Sequence, residues 1–422
     1  MKENITRREK TIKKHSIPVK KHIVDLHIHS KYAQACSKDL TIENLEKWAK
    51  IKGIDLLGTG DFTHPEWTKE LDEQLVKEKN GIYYTVTGMP FIYQTEVSLI
   101  YTQDRGRRVH LLILAPSREV AKKVTAYFGM HGRLDYDGRP IFSIPAWKVV
   151  QDLRAINDMI EIIPAHAWTP WFSVFGSKSG FKSLKECFLE ESEHIHAIET
   201  GISSDILMNE RVSKLDTIRK VSFSDAHSYW PWRLGREATI LELKEISYNN
   251  IINALRTGEG FYGTIEVDPA YGKYHYDGHR ACNFEQDPAI TKEKGKTCPV
   301  CKKEMTIGVQ YRVNELADKT EQKKTRLQKE IKLLPLSEII AMVLGKGIAT
   351  KSVWEEYWKI MKAGKNEFDI LMNVTKEKLL RATQNKAIIE SIMAIREGNI
   401  TIDPPGYDGV YGKPVIGEKK FA

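Results

Sequence analysis

The sequence has little of what marks exported and membrane proteins. Only five of its 422 residues are cysteine, too few and too unevenly spaced for a disulfide framework. No apolar run approaches the roughly 18 residues that cross a bilayer, and the N-terminal residues lack the apolar core of a secretory signal. These absences argue against a disulfide-stabilised scaffold and a membrane partner, and they predict a cytoplasmic protein.

Excess charge of one sign is scarce outside the N terminus. Residues 1–22 hold eight basic and two acidic residues, and so carry +6 of the formal net charge of +8. Such a segment is usually a solvated tail, although an arm that touches nucleic acid has the same composition. Because the rest of the chain is nearly neutral, net charge alone identifies no nucleic-acid partner.

Short β-branched runs alternate with amphipathic stretches through residues 23–265. Strands are predicted at 22–29, 54–59, 88–99, 109–115, 161–165, 196–199 and 220–224. Helices are predicted at 41–48, 66–76, 203–218 and 247–257. This alternation is typical of an α/β fold with a parallel sheet, either open or closed into a barrel.

The composition changes near residue 267, which predicts a domain boundary. Residues 266–312 are rich in Gly, Tyr, His, Cys and Lys, as expected for a small module held by a metal. Residues 313–422 return to a helical pattern and end in a Pro/Gly/Tyr tail. Within the tail, residues 408–413 (DGVYGK) echo residues 268–273 (DPAYGK), through either shared turn chemistry or a duplicated contact element.

Metal-binding residue types recur at or near the ends of the predicted strands. His27 and His29 share one face of the first strand, because alternate residues of a strand do. The later members of the series are Asp61, His64, Glu96, His110, His166, Glu199, Asp225 and His227. Since the carboxyl ends of barrel strands meet at one mouth, these side chains are expected to form one cluster.

The mixture of imidazole and carboxylate suggests both a metal and a reaction. It suits zinc, manganese or iron better than magnesium alone, and its size predicts two or three divalent ions (Zn, Mn or Mg). Ions about 3.5–4 Å apart stabilise the attacking and leaving oxygens of a displacement at phosphorus. No Gly-rich phosphate loop or dinucleotide fingerprint competes with this interpretation. The sequence therefore predicts phosphoester hydrolysis.

A second group of metal-type residues lies in the small module. His279-x-x-Cys282 and Cys298-x-x-Cys301 are two close pairs joined by a loop, the spacing of a four-coordinate structural zinc site. His275 is an alternative to His279. One structural zinc is therefore predicted, which folds a short segment and takes no part in catalysis.

The early motifs resemble those of the PHP (polymerase and histidinol phosphatase) family over residues 23–265. The matching segments are Asp25–Ser30, Thr59–His64, Glu96, His166 and Ser224–His227, in that order. The resemblance implies a distorted (β/α)7 barrel with up to three metals, bound by the series from His27 to His227. The second motif of the family is commonly Thr-Asp-His, whereas this chain inserts residues between Asp61 and His64. The choice between those two ligands stays open.

The endonuclease Q group of that family is similar across nearly the whole chain. The similarity rests on the order of barrel, His/Cys module, helical domain and tail, and on segments 165–172, 175–180 and 199–205. It implies a DNA repair endonuclease that cuts 5′ to a deaminated base (uracil, hypoxanthine or xanthine) or an abasic site, with DNA as partner. The residues expected to serve catalysis are His27, His29, Asp225 and His227, with Asp205 in support. A helix N-cap is the alternative role for Asp205.

Aromatic residues follow several of the predicted ligands. An enzyme that reads a damaged base must turn it out of the stack, and aromatic rings can hold it. The candidates for contact with the substrate are Trp168, Trp171, Phe172, Tyr229 and Trp230, with Lys178, Arg233 and Arg236 as phosphate contacts. For any single ring, packing beneath the barrel loops is the alternative.

Two other functions agree with parts of the sequence. A PHP phosphatase acting on a small phosphorylated metabolite would need neither the zinc module nor the 110 residues of 313–422. A decayed barrel that only binds DNA would not keep so complete a ligand series. The tail is the expected contact for a replication or repair partner.

Overall fold

Residues 18–320 and 328–416 are described by a computed structural model of the chain. Residues 1–17 of the predicted basic extension lie outside this range, and the first strand begins at Lys20. Among the described residues, no helix combines the length and the apolar character needed to cross a bilayer.

The α/β part of the chain comprises twelve strands and seven helices. The strands are β1 (Lys20–Asp25), β2 (Leu56–Gly58), β3 (Lys77–Lys79), β4 (Ile82–Tyr84), β5 (Pro90–Gln103), β6 (Arg105–Ala115), β7 (Ile141–Phe142), β8 (Glu161–Pro164), β9 (Ala197–Glu199), β10 (Arg219–Val221), β11 (Ala238–Leu243) and β12 (Phe261–Glu266). The helices are α1 (Ile42–Lys52), α2 (Pro65–Gln74), α3 (Arg118–Gly129), α4 (Ala146–Ile156), α5 (Leu184–Phe188), α6 (Ile206–Glu210) and α7 (Tyr248–Thr257). The side chain of Thr41 caps α1 by accepting from the backbone N–H of Asn44, which satisfies one of the free donors at the start of a helix.

The later part consists of the small module and a set of helices. The module contains β13 (Asp277–His279), β14 (Phe284–Gln286), α8 (Pro288–Lys294) and α9 (Val309–Leu316). Next come β15 (Lys329–Lys332), α10 (Leu336–Leu344), α11 (Lys351–Met361), α12 (Glu367–Met372), α13 (Lys376–Ala382), α14 (Lys386–Arg396), β16 (Ile400–Ile402) and β17 (Pro414–Ile416). The helices share one apolar core with the α/β part, because buried Leu45 and Trp67 belong to the same cluster as Ile340 and Ile389.

A buried ion pair also joins these two parts. Lys52 of α1 donates to Glu367 of α12 at 2.6 Å and to the carbonyl of Pro231 at 2.7 Å. Both charged side chains are almost completely buried. The loop that contains Pro231 is thereby fixed from the side of the helices.

The main sheet places β1 at its centre. The order β15-β12-β11-β1-β2-β5-β4-β3 runs across the sheet, with β6 beside β5 and β8 beside β6, while β9 and β10 form a separate parallel pair. Backbone hydrogen bonds from Ala167 to Glu199 (2.9 Å) and from His29 to Ala226 (3.2 Å) join the segments that follow these strands. The carboxyl ends of β1, β8, β9 and β10 therefore lie together.

The sheet is mixed, whereas the alternation of strands and helices predicted a parallel one. β1 pairs in parallel with β2, and β2 with β5, but β5, β6 and β8 pair antiparallel. The reason is local. β5 and β6 are joined by Asp104 alone, whose φ of 60° makes a tight turn, and so short a connection permits only antiparallel strands. The mixed α/β class is confirmed, and closure into a seven-unit barrel stays a prediction.

The long helix predicted at 203–218 is also wrong. Only α6 and a short 3₁₀ turn at Ser213–Leu215 form there. The backbone N–H of Ser213 donates to Asp318, and the carbonyl of Arg211 accepts from the N–H groups of Asp318 and Lys319. Tertiary contacts thus take the backbone groups that a continuing helix would have used.

Candidate metal centre and adjoining cavity

His27 and His29 lie just beyond β1. Ile28 between them forms a parallel bridge with Ala226, so the chain continues in extended form and both imidazoles point to one side. The two ring centroids are 5.5 Å apart, and both side chains are fully buried.

Each of these imidazoles is held through Nδ1 by a carboxylate. Nδ1 of His27 lies 2.9 Å from Oε1 of Glu199, and Nδ1 of His29 lies 3.0 Å from Oδ1 of Asp61. A carboxylate at Nδ1 fixes the tautomer in which Nε2 carries the free lone pair, the usual support of a metal-binding histidine. Glu199 and Asp61 therefore aim both Nε2 atoms toward the same point.

Glu96 and Asp225 occupy that point. Nε2 of His27 lies 3.7 Å from a Glu96 oxygen and 3.6 Å from an Asp225 oxygen, and Nε2 of His29 is at 3.4 and 3.1 Å from the same two atoms. Arg139 donates to Glu96 at 3.2 Å. Nε2 of His27 is buried and has no hydrogen-bond partner among the described residues.

Two further histidines approach Glu96 from the other side. Nδ1 of His110 and Nε2 of His166 lie 2.9 and 3.2 Å from its Oε1. Ser98 contacts Nε2 of His110 at 2.8 Å, and Ser173 contacts Nδ1 of His166 at 3.1 Å. One nitrogen of each ring is thereby occupied, while the other faces Glu96.

Seven of the ten predicted side chains come together in this way, and we call them the central cluster. Its members are His27, His29, Glu96, His110, His166, Asp225 and His227. They form three overlapping groups in which the ligand atoms lie within 4.8 Å of one another. Three overlapping groups can accommodate more than one cation.

Electrostatics favour a cation at this place. Burial alone favours neutral acids, but nearby His110 and Arg139 hold the pKa of Glu96 well below its usual range, and His227 and His27 do the same for Asp225. Together with Asp61 and Glu199, four carboxylates meet here, three of them fully buried and Asp225 partly exposed. Such a concentration of negative charge requires positive partners.

The backbone around the cluster is strained. Asp61, His166, Phe172 and Asp225 have φ angles of 42°, 30°, 58° and 46°, a region that side chains other than glycine seldom adopt. Strain of this kind costs on the order of 1–3 kcal/mol per residue and persists only where the surrounding structure imposes it. It accumulates at the residues that hold the cluster together.

The remaining predicted residues have other surroundings. His64 precedes α2 and stacks on Tyr32 at 4.4 Å, away from the central cluster, so only Asp61 of that pair contacts it. Asp205 caps α6 through the N–H of Met208 and lies 3.0 Å from Nζ of Lys332. The geometry thus shows the capping role of Asp205, and its supporting role in catalysis stays a prediction.

The four residues of the small module form a second cluster, the Cys/His cluster. Its members are His279, Cys282, Cys298 and Cys301. Burial opposes ionisation of Cys298, but the backbone N–H groups of Cys301 and Val300 lower the pKa of its thiol. His275, the alternative to His279, is buried elsewhere with Nδ1 3.4 Å from the carbonyl of Ser203. The predicted set of four is therefore the one that assembles.

A cavity of about 270 Å³ opens beside the central cluster. His166, Glu199 and Asp225 line one side of it, and residues that follow the α/β part line the other. The second set is Lys273, Tyr274 and Tyr411, with Trp171 and Arg236 from the loops between.

The predicted substrate contacts divide between this cavity and the interior. Trp171 lines the cavity and lies 5.7 Å from Tyr274. Trp168 is 1% exposed and donates to Asn209, so its ring is not available for a base. Phe172 packs on His110, and Lys178 pairs with Glu304 at 3.1 Å. Tyr229 and Trp230 pack in a group of rings with Trp48, Trp232 and Trp354.

Several residues of the centre carried no signal in the sequence. Arg139 comes from a loop without periodicity, and Ser98 and Ser173 are polar residues of ordinary appearance. Tyr411 belongs to the tail, and only the echo of residues 268–273 marked that segment.

Fold and site together define a mixed α/β protein with a buried histidine–carboxylate centre and a separate Cys/His cluster. Among solved structures, the lesion-specific endonuclease PfuEndoQ of Pyrococcus furiosus is 32% identical, with a TM-score of 0.84 over 94% of this chain and 96% of that one. A structure of Endonuclease Q with a 27-mer duplex substrate, which has an abasic lesion at the active site, matches with a TM-score of 0.83, 32% identity and coverage of 94% and 97%. The chain belongs to the endonuclease Q family.

Two curated relatives match different shares of this chain. An uncharacterized protein of Bacillus subtilis, YqxK, is 28% identical over 94% of this chain and 99% of its own length. An uncharacterized protein of Methanocaldococcus jannaschii, MJ0043, is 35% identical over 257 residues, 59% of this chain, and the match spans 31% of that longer protein. The family described as the MJ0043 C-terminal domain matches residues 335–399.

Proposed function

We propose that the chain is a metal-dependent DNA endonuclease of DNA repair that hydrolyses the phosphodiester 5′ to a deaminated base or an abasic site. The observation that supports this most directly is the match over nearly the full length to two endonuclease Q structures, one of which holds duplex DNA with an abasic lesion. A distorted (β/α)7 barrel is the form that we infer for the α/β part.

The residues of the central cluster fit two or three divalent ions, of which Zn, Mn and Mg are the candidates. The fit rests on the unpartnered Nε2 of His27 and on four carboxylates, of which Asp61, Glu96 and Glu199 are fully buried. The proposed ligands are the seven members of the central cluster. When bound, such ions acidify water and stabilise the charge that develops on a phosphate.

The protein itself supplies orientation. Glu199 and Asp61 hold His27 and His29 at Nδ1, and Ser173 does the same for His166. These contacts direct Nε2 of each ring toward Glu96 and Asp225. Arg139 offsets part of the charge on Glu96, so the carboxylate can stay ionised in a buried site. Asp61 and Glu199 thus act as orienting partners in this proposal.

The cavity is where a nucleotide turned out of the duplex would lie. Its volume of about 270 Å³ and its wall formed by Asp225 and His166 place any occupant next to the central cluster. Trp171 presents an aromatic ring to it, and a base can stack on such a ring. Because unpairing costs less at a damaged base, the same step favours lesions over intact DNA.

The Cys/His cluster fits one structural zinc.

The test is cleavage of end-labelled duplexes that differ at one position. The duplexes carry uracil, hypoxanthine, an abasic site or the intact base, with Mg²⁺, Mn²⁺ or Zn²⁺ added in parallel. A nick on the 5′ side of each lesion, and little cutting of intact DNA, is the expected result. Equal cutting of all four duplexes would leave a general nuclease, and release of phosphate from small esters without nicking would contradict the proposal.

A further inference from the structure

The C-terminal segment 404–413, here called the strap, lies across the residues that follow the α/β part. Gly406 donates through its backbone N–H to the carbonyl of Ala270 at 2.7 Å, and Gly412 donates to the carbonyl of Tyr271 at 3.0 Å. Asp408 accepts from the N–H of Arg280 and from the hydroxyl of Thr306. The two stretches that echo each other in sequence therefore pack on each other.

Glycine permits this close approach. A Cβ atom on Gly406 would stand 2.2 Å from the carbonyl oxygen of Gly272, and one on Gly412 would stand 2.2 Å from that of Ala270. Neither distance is compatible with a side chain, since backbone atoms cannot move aside cheaply. The position of the strap is thus built into the sequence of both segments.

The strap delivers Tyr411 to the cavity wall. Its ring lies 5.3 Å from that of Tyr271, and Nζ of Lys273 is 4.8 Å from its centroid. Its hydroxyl is 3.3 Å from Nη1 of Arg236. Tyr411 is therefore the contact between the strap and a buried guanidinium.

Arg236 is the unusual member of this wall. Its residue is 8% exposed, and its Nε has no hydrogen-bond partner among the described residues. No ion pair joins Arg236 to a carboxylate in residues 18–320 and 328–416, and Asp225 acts on it only through longer-range attraction. A buried guanidinium with five donors is costly when one hydroxyl is its partner. An anion in the cavity would accept hydrogen bonds from the donors of Arg236 that have no partner and would balance its charge.

We infer that Arg236 binds a phosphodiester of the DNA strand beside the central cluster, and that Tyr411 of the strap is the positioning residue that orients it. This rests on the proposed function. A phosphodiester fits because its two non-bridging oxygens match the fork of a guanidinium. The cavity that Arg236 lines also contains Asp225 and His166, so the bound phosphate lies at or next to the one that is cut. The C-terminal strap is then part of the substrate site.

The experiment removes one phosphate charge at a time. Lesion-bearing duplexes carry a neutral methylphosphonate at one of the three phosphates nearest the lesion, and affinity is measured by fluorescence anisotropy. For the unaltered protein, a methylphosphonate at one of these positions should lower the affinity roughly tenfold or more. Arg236→Gln should bind the normal duplex more weakly by a similar factor. Its affinity should not fall further when the methylphosphonate is at that position, but should still fall when it is at either of the other two.

Tyr411→Phe tests the role of the strap. It should reduce the penalty at the same phosphate, and it should have no added effect in the Arg236→Gln background, because it acts through Arg236. Tyr407→Phe is the matched control, since the hydroxyl of Tyr407 lies on the same strap but contacts Asn283. It should leave the phosphate scan unchanged.

Two results would overturn the inference. One is that the methylphosphonate lowers affinity by the same factor at all three positions, both in the unaltered protein and in Arg236→Gln. The other is a phosphate scan for Tyr411→Phe that matches the scan for Tyr407→Phe. Failure of the proposed function looks different, because the unaltered protein would then nick lesion-bearing DNA no better than intact DNA, or not at all.

Discussion

The two clusters of metal-type residues in this chain are built in opposite ways. In the central cluster, His29 meets Asp225 across 196 residues of sequence. In the Cys/His cluster, Cys301 meets His279 across 22. The first is assembled by the folding of a whole domain, and the second lies within one short module.

Their surroundings differ accordingly. The central cluster is enclosed by buried strands and by strained backbone at Asp61, His166 and Asp225. The Cys/His cluster is bordered by β13 and β14, of three residues each, and three of its four side chains are only half-buried. A module with so little core depends on its metal for folding. Loss of metal should therefore abolish activity at the central cluster, whereas it should unfold the module around the Cys/His cluster.

The largest effect is expected in the central cluster. Asp225→Asn should lower the rate of lesion cleavage by about 10³-fold, because it removes negative charge and an oxygen donor where His27 and His29 converge. The melting temperature and the zinc content of the Cys/His cluster should stay as they are. Asp158→Asn, at an exposed position before β8, is the control. Cleavage near the normal rate in Asp225→Asn would remove Asp225 from the proposed centre.

A smaller effect is expected at the residues that orient the histidines. Glu199→Gln should weaken metal binding by about 10- to 100-fold, the usual cost of losing a carboxylate behind a histidine ligand. Cleavage should then return when metal is raised, which separates this variant from Asp225→Asn. Titration of activity against metal concentration measures it, with exposed Glu193→Gln as control. No recovery at any metal concentration would argue that Glu199 has a more direct role.

The Cys/His cluster should respond in another manner. Cys298→Ala should release about one zinc per chain, expose residues 275–305 to proteolysis and weaken DNA binding by roughly tenfold. The rate at saturating DNA should change little, because the central cluster keeps its ligands. Cys187→Ala, which removes a buried thiol that is not part of the Cys/His cluster, should retain the zinc. Unchanged zinc in Cys298→Ala would mean that the four residues do not share a metal.

The same contrast explains which residues could be predicted from the sequence. The Cys/His cluster follows from spacing alone, because all four residues are local. His27, His29, His166 and Asp225 follow from the rule that strand ends meet at one edge. Glu96 and His110 break that rule. They lie inside β5 and β6, where the direct pairing of Ser98 with His110 puts all three side chains on one face.

Residues brought in by loops were beyond prediction. Arg139 and Tyr411 reach the centre from segments with no regular periodicity, so their positions depend on packing that a sequence pattern does not contain. His64 was one of two alternatives in its motif, and the motif alone could not show that its ring stacks on Tyr32. The mixed sheet was missed for a similar reason, since a single residue, Asp104, decides the direction of β6.

The smallest expected effect is on the pH dependence of stability, which should involve the α/β part but not the Cys/His cluster. Beneath the central cluster, burial raises the pKa of Glu237 to about 8, despite hydrogen bonds from Ser222 and Val267. The folded state therefore holds a proton that the unfolded chain releases near pH 4.5. Stability from this group is fully present below that pH and is lost as the pH rises through about 8.

Glu237→Gln, which mimics the protonated acid, should remove this dependence. Between pH 6.5 and 8.5, the free energy of unfolding should fall by about 2 kcal/mol more in the unaltered protein than in the variant. Urea unfolding of the α/β part at both pH values measures the difference, with zinc content as a check that the module is intact. The Cys/His cluster lies outside this linkage, so Cys298→Ala should show the same pH slope as the unaltered protein. A slope that is equal in the unaltered protein and in Glu237→Gln would mean that Glu237 is already ionised in the folded state.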